Sequence, residues 1–214
     1  MEKYVLQSGE IYLDGAATSI KSVEMATKHA DNIIKYGFNP LSSHPALVFL
    51  QESLLKSRER LLSYFNLSPF AFSVTYCSGS TEALNLIIKG LFFSSRKRRI
   101  ITSELEHKAV LETIKYLETL GAELIYVPHD HEGVIQISAI QELFNSDTLC
   151  VVLMHVNNET GEINDVEGIS EVCNSFDIPF ICDTTQAIGK EVTDFSYFDA
   201  FVGSAHKFGA PFGT

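Results

Sequence analysis

The sequence predicts a three-layer α/β/α sandwich with a mostly parallel sheet, preceded by a helical N-terminal arm. From about residue 71 onward, short apolar runs alternate with amphipathic helical segments, a pattern typical of βαβ units. Residues 149–155 form a nearly continuous apolar run, as expected for a strand buried on both faces of a parallel sheet. Before residue 71, two helical patterns flank a loop rich in Gly, Pro and Ser at residues 37–44.

Each predicted element follows from its hydrophobic period. Helices carry apolar residues at three- and four-residue spacing, so that Val110, Ile114 and Leu117 share one helix face. The predicted helices are 22–36, 45–65, 81–88, 107–120, 138–144 and 167–176, and the predicted strands are 72–76, 99–102, 123–127, 149–155, 179–182 and 200–202. We therefore divide the chain into an arm of about residues 1–70 and an α/β core of about residues 71–214.

Composition excludes several classes of protein. The chain has 214 residues, of which 27 are acidic and 16 are Lys or Arg, so its formal net charge is −11. This acidity disfavours direct nucleic-acid binding, because the phosphate backbone is itself negative. The 45% hydrophobic content supports a packed core. No apolar run approaches the ~20 residues that span a bilayer, and the first residues lack a secretory signal pattern, so we expect no membrane association.

The cysteines and histidines indicate neither a disulfide framework nor a metal site. Cysteines occur at four widely spaced positions without a Cys-x-x-Cys pair, which predicts reduced thiols in a cytoplasmic protein. His129 and His131 offer two imidazoles in a predicted turn, but no further ligand follows at a characteristic spacing. The four cysteines are Cys77, Cys150, Cys173 and Cys182.

Polar residues gather where predicted strands end, which is the edge at which open α/β sheets bind ligands. Residues 77–81 (CSGST) join a strand to a helix through a glycine-containing turn. The backbone N–H groups at that helix start suit an anion, and the Ser80 and Thr81 hydroxyls can add hydrogen bonds. An ordinary Ser/Thr helix cap explains the same residues, and the segment is neither a Gly-x-Gly-x-x-Gly fingerprint nor a Walker P-loop.

Further clusters place reactive groups next to predicted strand ends or helix starts. A carboxylate after a buried strand needs a cation or several donors, and a lysine at an apolar sheet edge can act as an amine nucleophile. Each residue alone has an ordinary explanation as a cap, a turn residue or a surface side chain. Together with the anion cradle they form the set that pyridoxal 5′-phosphate requires. These residues are His107, Asn158, Asp183, Gln186, Ser204, His206 and Lys207.

Seven segments, in order along the chain, resemble the cysteine desulfurases, which are pyridoxal-phosphate-dependent, class V aminotransferase-like enzymes of fold type I. The segments are residues 12–18 (YLDGAAT), 39–44 (NPLSSH), 78–83 (SGSTEA), 106–110 (EHKAV), 154–159 (MHVNNE), 183–186 (DTTQ) and 204–207 (SAHK). The resemblance extends from about residue 12 to the end of the chain, and it implies the large cofactor-binding domain of that fold.

The resemblance also implies a role for each candidate residue. Lys207 would bind the cofactor aldehyde and later move protons at the substrate α-carbon, and Asp183 would keep the pyridine nitrogen protonated. His107 would stack on the ring and assist proton transfer. Asn158 and Gln186 would hydrogen-bond the phenolic oxygen of the ring. The phosphate would be held by Ser80, Thr81, Ser204 and His206.

In that family, L-cysteine is converted to L-alanine while a separate cysteine thiolate takes the sulfur as an enzyme persulfide. A sulfur-acceptor protein then receives it for iron–sulfur cluster assembly or tRNA thiolation, and family members are homodimers. The family's persulfide cysteine and substrate-carboxylate arginine lie well beyond the lysine, whereas this chain ends seven residues after Lys207. The strand after the lysine and the small C-terminal domain are missing too. We therefore expect a truncated chain that has the pocket but does not desulfurate cysteine alone.

Two other functions remain open. A selenocysteine lyase, or another class V aminotransferase or lyase, would use the same cofactor on a different substrate. A truncated, non-catalytic remnant or interaction module would retain only the fold. A dinucleotide-binding Rossmann domain is not expected, because no Gly-rich fingerprint opens the first βα unit.

Overall fold

A computed structural model describes residues 8–211 and contains six α-helices and five β-strands within them. The helices are α1 (Val23–Tyr36), α2 (Val48–Tyr64), α3 (Ser80–Ser94), α4 (Lys108–Glu118), α5 (Ile137–Glu142) and α6 (Val166–Ser175). The strands are β1 (Arg99–Thr102), β2 (Glu123–Tyr126), β3 (Thr148–Met154), β4 (Phe180–Asp183) and β5 (Ala200–Val202). Short 3₁₀ turns lie at Pro45–Leu47, Phe195–Tyr197 and Ala205–Lys207. All six predicted helices and five of the six predicted strands are confirmed.

The five strands form one sheet in the order β2-β1-β3-β4-β5, and every pair of neighbouring strands is parallel. The register places Met154 of β3 beside Asp183 of β4, and Asp183 beside Val202 of β5. Because parallel strands direct their carboxyl ends to the same edge, the segments that follow these strands converge there. The predicted parallel sheet is confirmed.

Strand β3 is the centre of the fold, because all seven of its residues are buried. Its side chains alternate between two apolar clusters. Val151 and Leu153 pack with α5 and α6 on one face, whereas Cys150 and Val152 pack with α3 and α4 on the other. The sheet is therefore covered on both sides, as the predicted three-layer sandwich requires.

Side-chain caps define the start of most long helices. Ser22 Oγ accepts a hydrogen bond from the Met25 N–H at 3.1 Å, and Asp165 Oδ1 accepts one from the Gly168 N–H at 3.0 Å. Helix α3 differs, because its N-cap residue is Gly79 and no side chain caps it. Among residues 8–211, the N–H groups of its first turn therefore have no side-chain acceptor.

The predicted strand at residues 72–76 is wrong. Its side chains alternate as a strand requires, since Phe72 and Val74 pack against the core while Ser73 and Thr75 are exposed. A strand also needs a neighbour for its backbone hydrogen bonds, and no segment within residues 8–211 pairs with this one. The segment therefore packs on the core without joining the sheet.

The two helices of the N-terminal arm differ in how much they pack against the core. Helix α1 has no buried residue, and its Val23 and Ile34 side chains are exposed. The end of α2 and the turn after it contribute Leu62 and Leu67 to the core. A boundary near residue 70 therefore stays a prediction. In the described part of the chain, no helix is both long enough and apolar enough to cross a membrane.

The central strand leads to a stability prediction. Replacing Leu153, which is completely buried in β3, with Ala leaves a cavity in the core, and we expect a loss of about 3 kcal/mol in the free energy of unfolding. Leu86→Ala on the exposed side of α3 is the matched control and should change it by less than about 0.5 kcal/mol. Urea denaturation followed by circular dichroism measures both, and equal losses would contradict the assigned core.

Candidate active site

A cavity of about 400 Å³ opens at the carboxyl edge of the sheet, a volume within the usual range for small-molecule sites. Its wall combines the start of α3, the residue that precedes α4, and the segments that follow β3, β4 and β5. All nine residues predicted from the sequence line it, namely Ser80, Thr81, His107, Asn158, Asp183, Gln186, Ser204, His206 and Lys207. The structure therefore brings the whole predicted set together, although the residues come from five separate segments.

Asp183 ends strand β4 and supplies a buried carboxyl group to the cavity. The residue is only 6% exposed, and its Oδ1 accepts a hydrogen bond from the Thr185 N–H at 3.0 Å. Burial raises the pKa of Asp183, while the Thr185 hydrogen bond and the nearby His107 and Lys207 act in the opposite direction. A cationic group in the cavity would stabilise the ionised carboxylate further.

Lys207 lies in the 3₁₀ turn after β5 and lines the same cavity as Asp183. Its Nζ donates a hydrogen bond to the backbone carbonyl of Ala16 at 2.5 Å. Gln186 Nε2 donates to the same carbonyl at 2.9 Å. The N-terminal segment thus holds two of the predicted site residues through one backbone oxygen.

The same N-terminal segment also holds the turn that carries the lysine. Ser19 Oγ and Lys21 Nζ each donate to the His206 carbonyl at 2.9 Å, and Thr18 Oγ1 lies 3.2 Å from His206 Nδ1. Burial lowers the pKa of His206, and the charges of Lys207 and Lys21 lower it further. These contacts position His206 and Lys207 together at the cavity wall.

The start of α3 has the features that suit an anion. A Cβ atom built on Gly79 would lie 3.5 Å from Ser204 Oγ, so glycine leaves space between the helix start and the segment after β5. The hydroxyls of Ser80 and Thr81 lie beside this space. Glu82 also lies on the rim, but its carboxylate accepts a hydrogen bond from the Ser78 N–H at 2.6 Å, which lowers its pKa.

His107 and Asn158 also line the cavity. His107 Nδ1 accepts a hydrogen bond from the Ala109 N–H at 3.1 Å, so in the neutral ring the proton is on Nε2. Asn158 lines the cavity, whereas its neighbour Asn157 is engaged in a turn, where its Oδ1 accepts from the Glu159 and Thr160 N–H groups. The structure thus places the predicted Asn158, and not its neighbour Asn157, in the cavity lining.

These residues fit pyridoxal 5′-phosphate. The uncapped start of α3 with its hydroxyls suits a phosphate, the buried Asp183 suits a protonated pyridine nitrogen, and Lys207 supplies an amine. Thr185 lines the same cavity, and its hydrogen bonding to the Asp183 carboxyl group favours the ionised form that would face a protonated nitrogen.

The cavity and its support include residues that sequence reasoning missed. The Ala16 carbonyl has no sequence signature, because every residue has a backbone carbonyl whatever its side chain. Lys190 donates a hydrogen bond to Gln186 Oε1 at 2.6 Å and could have been found from the four-residue spacing between the two. The remaining wall residues were not named as site residues but lie within segments singled out from the sequence, and they are Ser78, Gly79, Glu82, Met154, Val156 and Thr185.

Glu106 is a second buried carboxyl group next to the site. Its Oε1 accepts a hydrogen bond from the Met154 N–H at 3.0 Å, and its Oε2 has no partner within residues 8–211. Burial raises the pKa of Glu106 well above its usual value, and the charge of Asp183 raises it further. The Met154 hydrogen bond opposes both effects without cancelling them. Burial therefore favours the protonated form of Glu106 over the ionised form.

The histidine pair considered as a metal site lies away from the cavity lining. His129 Nδ1 contacts the Asp130 carbonyl at 2.8 Å, and the Asp130 carboxylate accepts from the Glu132 and Val134 N–H groups. These contacts close a turn. Among residues 8–211, no group of three or more His, Cys, Asp or Glu side chains is arranged to hold a metal ion.

The class-V aminotransferase family matches residues 11–214, and the chain belongs to this family. Within it, the chain is similar to cysteine desulfurases. It is 36% identical over 209 residues to cysteine desulfurase IscS of Buchnera aphidicola and 38% identical over 210 residues to that of Vibrio vulnificus. Each match covers 95% of this chain and 52% of the relative, so the chain spans about half the length of these curated relatives.

Solved structures lead to the same family. A NifS-like protein superimposes with a TM-score of 0.85 at 33% identity, covering 94% of this chain and 56% of that one. A structure described as SspA in complex with cysteine gives a TM-score of 0.84 at 29% identity, covering 94% of this chain and 59% of that one. Class-V aminotransferases and cysteine desulfurases are pyridoxal-phosphate enzymes. The family resemblance identified in the sequence is confirmed.

Glu106 leads to a prediction about pH and stability. Because folding raises its pKa, the folded chain keeps this proton above about pH 4.3, where the unfolded chain has lost it. Stability from this group therefore falls as the pH rises from about 4.3 toward the folded pKa. A glutamine at position 106 cannot titrate. As the pH rises through this range, the free energy of unfolding of Glu106→Gln minus that of the original chain should therefore increase by up to about 1.4 kcal/mol per pH unit.

Urea denaturation at several pH values between 5 and 8 measures this difference. The control is Glu104→Gln, which changes an exposed glutamate two residues away and should leave the pH profile unaltered. If the Glu106→Gln and original profiles ran parallel, the assigned protonation of Glu106 would be incorrect.

Proposed function

We propose that this chain is the cofactor-binding portion of a pyridoxal-phosphate-dependent cysteine desulfurase. Its substrate would be L-cysteine, and the sulfur would pass through an enzyme persulfide to an acceptor protein for iron–sulfur cluster assembly or tRNA thiolation. The observation that carries the proposal is the meeting of Lys207 and Asp183 in one cavity with the uncapped start of α3. The relatives' names as cysteine desulfurases support the choice of substrate.

Each wall of the cavity would hold a different part of the cofactor. Lys207 would bind the aldehyde covalently, and the Asp183 carboxylate would accept a hydrogen bond from the protonated pyridine nitrogen. His107 would lie against the ring. The phosphate would be held by Ser80, Thr81, Ser204 and His206, and the phenolic oxygen by Asn158 and Gln186.

When bound, the cofactor supplies an electron-withdrawing ring that stabilises negative charge at the substrate α-carbon. Asp183 would maintain that property by keeping the pyridine nitrogen protonated, and the burial of its carboxylate would strengthen this interaction. Lys207 Nζ, which now donates to the Ala16 carbonyl, is the amine available to take or return a proton at the α-carbon. His107 Nε2–H is a second donor in the same cavity.

The four cysteines of this chain are poor candidates for the sulfur-accepting thiolate, and we nominate none of them. Burial raises the pKa of Cys150 and of Cys173 to about 12 and also raises that of Cys182. Burial and then the Glu82 charge raise the pKa of Cys77. Since the thiolate is the nucleophile, a raised pKa opposes sulfur transfer at neutral pH.

A homodimer and a cytoplasmic location complete the proposal. All four cysteines are free thiols, in keeping with a reducing compartment. The exposed apolar residues of α1, among them Val23 and Ile34, give the arm a surface suited to burial against other protein. Light scattering measures the oligomeric state directly.

Two alternatives keep the same fold. A selenocysteine lyase or another class V aminotransferase or lyase would share the cofactor and differ in substrate. A non-catalytic remnant or interaction module would bind neither the cofactor nor a substrate. Release of sulfide, selenide or keto acid separates the first alternative from desulfuration, and a colourless chain that ignores added cofactor would support the second.

The cofactor assignment gives a direct test. We expect the chain to bind pyridoxal 5′-phosphate and turn yellow, and Lys207→Ala to lose the visible band because the covalent link needs that amine. Lys97→Ala, which alters an exposed lysine that does not line the cavity, should stay yellow. Absorbance spectra after gel filtration compare the three proteins. A yellow Lys207→Ala variant, or a colourless original chain, would refute the assignment.

The substrate assignment gives a second test. With cofactor and L-cysteine, we expect the visible spectrum to change while alanine stays below one equivalent per chain, because no cysteine here offers a ready thiolate. Amino-acid analysis of the alanine formed measures the yield, and Lys207→Ala provides the background. Repeated turnover by the isolated chain as a monomer would contradict this expectation.

A further inference from the structure

Lys190 lies outside the predicted site but contacts one of its residues. It follows Gln186 by four residues in the turn after β4. Backbone hydrogen bonds from Ile188 to Thr184 and from Glu191 to Ala187 maintain this turn. Within it, Lys190 Nζ donates to Gln186 Oε1 at 2.6 Å.

Two fixed partners determine the orientation of the Gln186 amide. An ammonium group only donates hydrogen bonds, and a backbone carbonyl only accepts them. Lys190 must therefore face the amide oxygen, and the Ala16 carbonyl must face the amide nitrogen, which lies 2.9 Å away. A flipped amide would place nitrogen against ammonium and oxygen against carbonyl, and it would lose both bonds.

This orientation sets what Gln186 offers to the cavity. Its oxygen is engaged by Lys190 and one N–H by Ala16, while the second N–H donates to no described residue. Gln186 itself is buried in the cavity wall. The side chain can therefore present a donor, whereas a glutamine free to flip could present either a donor or an acceptor.

The charge environment of Lys190 supports this arrangement. Although the residue as a whole is exposed, burial lowers the pKa of Lys190, and the charge of Lys207 lowers it further. The Lys190 and Lys207 ammonium groups are therefore close enough to repel each other electrostatically. Gly189, at a φ of +75°, precedes Lys190, and a Cβ built there would lie 3.4 Å from the Phe208 side chain, next to Lys207.

We propose that Lys190 is a positioning residue that locks the Gln186 amide with its N–H toward the cavity, so that the site selects a ligand with an acceptor oxygen at that point. The inference rests on the proposed function, in which that oxygen is the phenolic oxygen of pyridoxal 5′-phosphate. It adds to that function a residue which touches neither cofactor nor substrate and acts through Gln186.

The test measures ligand affinity and amide orientation separately. Pyridoxine 5′-phosphate is the probe, because it has the ring oxygen and the phosphate but no aldehyde for Lys207 to capture. Calorimetry gives its dissociation constant for the original chain, Lys190→Met, Lys190→Arg, Gln186→Ala and the Lys190→Met/Gln186→Ala double variant. Lys97→Met is the control for loss of an exposed lysine, and circular dichroism checks that each variant is folded.

We expect Lys190→Met to weaken binding about fivefold, the loss typical of one misplaced hydrogen bond, and Lys190→Arg to restore it within about twofold. In the Gln186→Ala background, Lys190→Met should change the affinity by less than about twofold, because the group it positions is gone. An equal loss in both backgrounds would mean that Lys190 acts through its charge, and the proposal would be overturned. The proposal would also be overturned if Lys190→Met caused no loss of affinity in either background.

Side-chain amide signals of Gln186 in a ¹⁵N NMR spectrum give a readout that needs no ligand. The two N–H protons should be well separated in the original chain and move together in Lys190→Met, as the amide loses its fixed partner. Failure of the original chain to bind the probe would refute the proposed function, and the amide signals would then decide the positioning role alone. Unchanged signals in Lys190→Met would refute that role.

Discussion

The parallel pairing of β3, β4 and β5 is the constraint on which the site depends. It sets Met154, Asp183 and Val202 side by side and sends the segments after them to one edge of the sheet. The energetic support for this pairing is burial, because β3 contributes apolar side chains to both clusters and leaves none to solvent. Residues distant in sequence thus meet because the core beneath them permits only one register.

The charge around the cavity is opposite in sign to the net charge of the chain. The chain carries a net charge of −11, yet the cavity and its border gather Lys21, Lys190 and Lys207 with two histidines. Asp183 and Glu106 lie buried beneath them, and burial raises the pKa of both carboxyl groups. An anionic ligand with one protonated ring nitrogen complements both features at once, since its net negative charge suits the cationic surroundings and its nitrogen suits the Asp183 carboxylate.

Sequence reasoning predicted most of the fold and the cavity wall, and its failures have physical causes. Strand positions follow from local apolar runs, and the rule that ligands bind at carboxyl ends of strands then collects Asp183 and Lys207. The segment 72–76 was misassigned because alternation is local whereas strand pairing requires a distant partner. Glu106 was missed because charged residues are normally exposed, and its burial depends on the Met154 N–H.

The contact between Lys207 and the Ala16 carbonyl has a consequence for how this segment tolerates change. The acceptor is a main-chain oxygen, so no side-chain substitution at position 16 removes it. A mutational scan would record that position as permissive even though its carbonyl determines where the reactive amine rests. What evolution can alter there is the path of the backbone, through the Thr18, Ser19 and Lys21 contacts that fasten it to the lysine turn.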